Sequence, residues 1–150
     1  MLFRRTSSNA QSRRALVADT RHVESLEDRR LMSVTSLSLY NAVDDVSYGT
    51  LNEGASVSFV QLNTWGITIK ADATSDVASV RWNLDGTIVS TESFAPFAIG
   101  GDLNSGRDLQ PYKFTKGSHT LTVTAFTGTG GTGAVLNSFN VTFQILDQPL

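Results

Sequence analysis

Few residues of this chain could do covalent or metal chemistry. It has no cysteine, which excludes disulfides, thiolate zinc sites and cysteine nucleophiles. Of its two histidines, His22 sits in a basic N-terminal stretch without a partner, and His119 follows Ser118. Adjacent strand residues point to opposite faces, so Ser118 and His119 cannot by themselves form a nucleophile and its base. His119 reads as a partly exposed histidine at the start of a strand. Hydrolase chemistry would need a distant Ser and Asp to converge on it. No catalytic residue is assigned, and the chain is expected not to be an enzyme.

Two loops carry binding patterns. Gly128-Thr129-Gly130-Gly131-Thr132-Gly133 fits the G-x-G-x-x-G spacing. Dinucleotide binding needs a parallel strand before that string and a helix after it, whereas here another strand follows, so it reads as a hairpin loop. Asp102-Leu103-Asn104-Ser105-Gly106-Arg107-Asp108 sets oxygen ligands at Asp102, Asn104 and Asp108 around a glycine, like the opening of a calcium loop. The downstream bidentate glutamate is missing and Arg107 intrudes, so an ordinary acidic turn competes with a calcium site. No other cofactor is called for.

Aromatic residues supply the remaining chemistry. Sugar rings stack on flat exposed rings while nearby polar groups bind hydroxyls. Trp65, Tyr112, Tyr40 and Tyr48 are the candidates for glycan contact, with Phe126 beside them and with Asp108 and Gln110 near Tyr112 in sequence. Trp65 shares the parity of Ile67 and Ile69, which favours burial at the edge of a core. Trp82 shares a face with Val80 and Leu84 and reads as core packing.

The elements that must position these residues are strands. Charged residues make up only 17% of the chain, and Ser and Thr take their place, which suits pleated strands and turns. From Val34 onward the apolar period is two. Leu37 and Leu39 alternate with serines, and so do Val57 and Phe59; Ile67, Ile69 and Ala71 alternate with Thr68 and Lys70. Leu121, Val123 and Ala125 face opposite three threonines, and Phe139, Val141, Phe143 and Ile145 close the series. Asp85-Gly86 marks a tight hairpin. No sustained helical period follows Ser33, so no helix is required there. About seven short strands separated by turns predict an all-β, immunoglobulin-like antiparallel β-sandwich over residues 34–148.

Residues 1–33 differ. They hold seven arginines (Arg4, Arg5, Arg13, Arg14, Arg21, Arg29, Arg30) against four acids, a balance of +3 in a chain of net charge -2, which leaves -5 for the rest. The acids interrupt the basic run and no aromatic interleaves it, so nucleic acid is not an expected partner. No apolar run reaches the roughly 18 residues of a membrane span. The segment is expected to be a disordered or weakly helical tail, because it lacks an apolar face able to offset ordering entropy. Limited trypsin digestion should therefore cut at Arg13, Arg21 and Arg29 and leave a resistant core. Protection at those sites equal to that at Arg81 would end the idea.

One string in the tail is more specific. Leu26-Glu27-Asp28-Arg29-Arg30-Leu31-Met32 resembles the short Leu-Glu-Pro-Arg-x-Leu-Leu motif of large surface proteins from planctomycetes and some other bacteria. Leu26, Glu27, Arg29 and Leu31 match, Asp28 replaces the proline and Met32 the last leucine. The resemblance implies an export or sorting tag and an extracytoplasmic, secreted or cell-surface address.

The strings Val80-Arg81-Trp82-Asn83-Leu84-Asp85-Gly86, Pro96-Phe97-Ala98-Ile99-Gly100-Gly101-Asp102 and Gly117-Ser118-His119-Thr120-Leu121-Thr122-Val123 resemble immunoglobulin-like modules of secreted bacterial proteins. Such modules often lie beside carbohydrate-acting or carbohydrate-binding domains. The resemblance implies a non-catalytic adhesion, spacer or assembly module, with other surface proteins or glycans as partners. A carbohydrate-binding module is the alternative.

Overall fold

The computed structural model describes residues 33–150. Leu26, Glu27, Arg29 and Leu31, the residues matching the sorting motif, lie outside them. The chain runs β1 (Val34–Asn41), β2 (Val46–Thr50), β3 (Ala55–Val57), α1 (Phe59–Leu62), β4 (Ile67–Ala73), β5 (Ser79–Leu84), β6 (Thr87–Glu92), β7 (Phe97–Ala98), β8 (Asp102–Leu103), β9 (Asp108–Leu109), β10 (Gly117–Phe126) and β11 (Val135–Ile145). Seven of these strands have five or more residues, and the others are pieces of two or three.

They form an immunoglobulin-like sandwich. One sheet has the order β2-β1-β4-β7, the other β3-β11-β10-β5-β6, and β8 and β9 make a separate hairpin. All pairings are antiparallel except the short parallel join of β3 to β11. The period-two pattern explains the core. Leu37, Leu39, Ile67, Ile69 and Ala71 of the first sheet pack against Val80, Trp82, Leu121, Val123, Val141, Phe143 and Ile145 of the second. Burying these side chains, at about 1.5–3 kcal/mol each, is the main force holding a chain with no disulfide together.

Turn chemistry sets the register. Asp85 and Gly86 have φ of 54° and 88°, and Leu84 pairs with Thr87 across them. This is the two-residue hairpin whose twist matches its strands. Residues 128–133 form the hairpin loop between β10 and β11, as their context requires. The Gly131 N–H donates to Ser79 Oγ and the Gly130 N–H to Ser93 Oγ. With the Gly128 N–H donating to Thr132 O, three backbone donors of this loop are engaged within the fold.

Two expectations need correction. Residues 56–59 are not one strand, because the chain leaves β3 after Val57 and makes the single helical turn α1. Ser58 caps that turn by accepting from the Gln61 N–H at 3.1 Å, and the Asp147 carboxylate accepts from Ser58 Oγ and from the Phe59 N–H at 2.6 Å. These bonds satisfy amides that a short helix leaves open. Secondly, Thr68 is not on a solvent face. The Gly100 N–H donates to its Oγ1 at 3.2 Å, and the chain after β7 covers it completely.

Candidate functional site

Trp65 is where sequence and structure disagree most usefully. Its parity with Ile67 predicts burial, yet it is 57% exposed. β4 begins only at Ile67, so strand parity does not extend back to Trp65. The chain leaves α1 through Asn63, whose φ and ψ of 52° and 51° are left-handed. Thr64 then turns inward, with its Oγ1 3.0 Å from both Asn41 Oδ1 and Gly66 O. Alternation about the buried Thr64 sends the next side chain outward.

Opposite Trp65 runs the segment Pro111-Tyr112-Lys113. The Tyr112 N–H donates to Ile67 O at 2.9 Å, which fixes the segment along β4. Pro111 rests on Gly66, where a Cβ would lie 3.1 Å from the proline ring. The Tyr112 ring packs on Phe114 at 4.8 Å between centroids, and Phe114 meets Phe143 edge-on at 5.6 Å. These contacts anchor Tyr112 to the core through a chain of rings. Trp65, Pro111, Tyr112, Lys113, buried Phe59 and Pro149 line an open groove of about 300 Å³. Among the candidate aromatics, the structure brings Trp65 and Tyr112 together.

The others lie elsewhere. Tyr48 is exposed beside α1, its Oη donating to Leu62 O at 3.4 Å. Partial burial, reinforced by the charge of Asp44, pushes its phenol up. Tyr40 points outward from β1 towards Lys70, whose ammonium stands 5.2 Å from the ring centre. Phe126 is buried beneath the Arg81 guanidinium, 4.9 Å away. Asp108 and Gln110 do not line the groove; Lys113 does, and so do Phe59 and Pro111. The adjacency Pro111-Tyr112-Lys113 was the signal that could have pointed to this wall.

Asp102, Asn104 and Asp108 fall on the β8-β9 hairpin. Asp102 pairs with Leu109 and Leu103 with Asp108. Cross-strand partners share a face and neighbours alternate, so Asp102 and Asp108 occupy opposite faces. Asp102 instead lies near Glu92, whose carboxyl is pushed up first by burial and then by that charge. Among the described residues, no three or more acidic or histidine side chains cluster as a cation would need. Added calcium is accordingly expected to leave the melting temperature unchanged, which thermal denaturation with and without the ion would check.

His119 also departs from expectation. It is 7% exposed rather than partly open, because it shares the face of Leu121 and Val123. Nδ1 lies 2.7 Å from Asp85 Oδ2 and Nε2 lies 2.6 Å from Thr115 O, with the rings of Phe114 and Phe143 alongside. Asp85 Oδ1 accepts from the Thr120 N–H at 2.8 Å. Both ring nitrogens face acceptors, which suits an imidazolium. Burial alone would lower the His119 pKa; the bonds to Thr115 and Asp85 and the Asp85 charge outweigh it and hold it above the usual histidine value. Burial pulls Asp85 upward, yet its bonds to His119 and Thr120 leave it below the usual carboxylate range.

The pH dependence follows from these signs. The raised histidine contributes stability that is complete below its unfolded pKa of about 6.5 and is lost as pH rises through the folded value. The depressed aspartate contributes stability present above its unfolded value of about 3.9 and lost as pH falls through the folded one. Melting curves of wild type and His119→Gln should therefore differ most between about pH 4 and 6.5, and the gap should narrow at alkaline pH. A gap that is constant across pH would refute the charged pair.

The chain matches no protein-family model, and no curated protein is similar to it. Among solved structures it is similar to one from Clostridium thermocellum described as CbhA fibronectin(III)-like modules. The identity is 18% and the TM-score 0.43, over 63% of this chain and 91% of that one.

Proposed function

We propose that the chain is a non-catalytic, extracytoplasmic immunoglobulin-like module, an adhesion, spacer or assembly unit of a bacterial surface protein that makes contact through the Trp65-Tyr112 groove. One observation carries the reading: a tryptophan 57% open to water stands beside a tyrosine fixed to the core. Aromatic side chains concentrate at contact sites, where a rigid ring gives large area at small entropic cost. The His119-Asp85 pair supports the non-catalytic part, since hydrogen bonds within the fold occupy both imidazole nitrogens. The address rests on the motif-like residues Leu26, Glu27, Arg29 and Leu31. Among the described residues, no helix is long and apolar enough to cross a membrane.

Fractionation of the host tests the address. Intact protein should appear outside the cytoplasm, and a variant beginning at Val34 should be retained within. Cytoplasmic accumulation of the intact chain would refute it.

A carbohydrate-binding module is the second reading, favoured by the same pair of rings. Sugar C–H edges stack on indole and phenol faces, and a groove of this volume lies at the lower end of the range for small-ligand sites. A glycan array probed with wild type and Trp65→Ala separates the two. Signals lost in the variant would favour carbohydrate, and a silent array the adhesion or spacer role.

A further inference from the structure

We infer that the Trp65-Tyr112 groove takes an acidic sugar, a pyranose bearing a carboxylate, with Lys113 as the partner of that carboxylate; this rests on the carbohydrate reading. The argument begins with donors. Trp65 Nε1, Tyr112 Oη and Lys113 Nζ all belong to groove-lining residues, and none joins a hydrogen bond or ion pair among the described residues. An indole N–H and an ammonium donate and cannot accept. The side chains of the groove therefore offer an excess of donors, which an acceptor-rich ligand satisfies and a donor-rich one does not.

Charge points the same way. From residue 33 onward the chain has five cationic side chains, Lys70, Arg81, Arg107, Lys113 and Lys116, against ten acids. One of the five, Lys113, lines the groove, and among the described residues no acidic one does. Asp147, two residues before the lining Pro149, accepts from Ser58 Oγ and the Phe59 N–H and keeps its negative charge, which acts on Lys116; its side chain is not among those lining the groove. The one charged side chain lining the groove is therefore the ammonium of Lys113, which attracts an anion. The rings add the second half of the specificity, since stacking requires a ligand with a flat C–H face. A carboxylated pyranose has both features in one unit.

The test compares short galacturonate oligomers with their methyl esters, which keep the ring and remove the charge. Calorimetry on the full chain should show the acid form binding about tenfold more tightly, the worth of one charge-assisted hydrogen bond. The preference should shrink at high salt. Lys113→Gln should abolish the acid preference, bringing the affinity for the acid down to that for the ester, and Trp65→Ala should weaken binding of both. Unaltered melting temperatures would show that the variants fold. Equal binding of acid and ester would overturn the acidic-sugar assignment and leave the carbohydrate reading standing. Binding of neither oligomer would overturn the acidic-sugar assignment, and signals for neutral glycans on the array that are lost in Trp65→Ala would still uphold the carbohydrate reading.

Discussion

Gly100→Ala should destabilise the domain by about 3 kcal/mol or more, the upper range for forcing one methyl group into a packed interior. A Cβ at Gly100 would stand 2.0 Å from Gln110 O and 2.9 Å from the carbonyl carbons of Gln110 and Pro111. All three are backbone atoms, so no side chain can rotate aside. The two segments are also bound together: the Gly101 carbonyl accepts from the Gln110 N–H at 3.0 Å, and the Gly100 N–H donates to buried Thr68. Moving the strap at Gln110 breaks these bonds, and the displacement passes directly to Pro111 and Tyr112. The melting temperature should fall by roughly 10 °C, and whatever binds the groove should bind more weakly. Gly54→Ala is the control. Gly54 also has no room for error in its backbone, with φ of 78°, but nothing lies within 4 Å of its added Cβ. It should lose only about 1–2 kcal/mol, from the left-handed backbone alone. Thermal denaturation by circular dichroism decides, and a Gly100→Ala protein melting within a few degrees of wild type would contradict the packing described.

What was legible in the sequence was what short range determines. Period-two alternation located β10 and β11 because each buries one face on a single core. Asp85-Gly86 located a hairpin because two successive left-handed residues satisfy that turn. Ser58-Phe59-Val60-Gln61 was legible as well, since Ser-x-x-Gln is a helix N-terminus pattern, but the alternation of Val57 and Phe59 masked it. The bonds that hold the turn come from Asp147, 89 residues from Ser58, and no local pattern reports such a partner. His119 shows the same limit. It reads as partly exposed in the sequence although it shares the parity of Leu121, because the acceptor that makes an inward imidazole tolerable is Asp85, 34 residues away. The groove was half visible. Trp65 and Tyr112 stood out by residue type, but their meeting depends on Pro111 crossing Gly66, and Trp65 reaches solvent only because Asn63 and Thr64 end the alternation that would have buried it.

Trp82→Ala should cost about 3–5 kcal/mol, the range for truncating a fully buried aromatic residue. The indole is completely buried at the centre of β5, with Val123 of β10 opposite it on one side and Ser90 of β6 on the other. Small domains have only about 5–15 kcal/mol in total, and no disulfide limits the unfolded chain here. The variant should therefore unfold at much lower denaturant concentration. Trp82→Phe should behave differently. Trp82 Nε1 is buried and has no hydrogen-bond partner among the described residues, and such a donor carries a desolvation cost of about 1–3 kcal/mol. Phenylalanine gives up part of the ring area but removes that donor, so the two changes offset and the net loss should be about 1 kcal/mol or less. Urea denaturation of the three proteins separates the terms, provided that the slope with denaturant stays constant. A Phe variant as unstable as the Ala variant would mean that the indole N–H has a partner and that its bond is part of what holds the two sheets together.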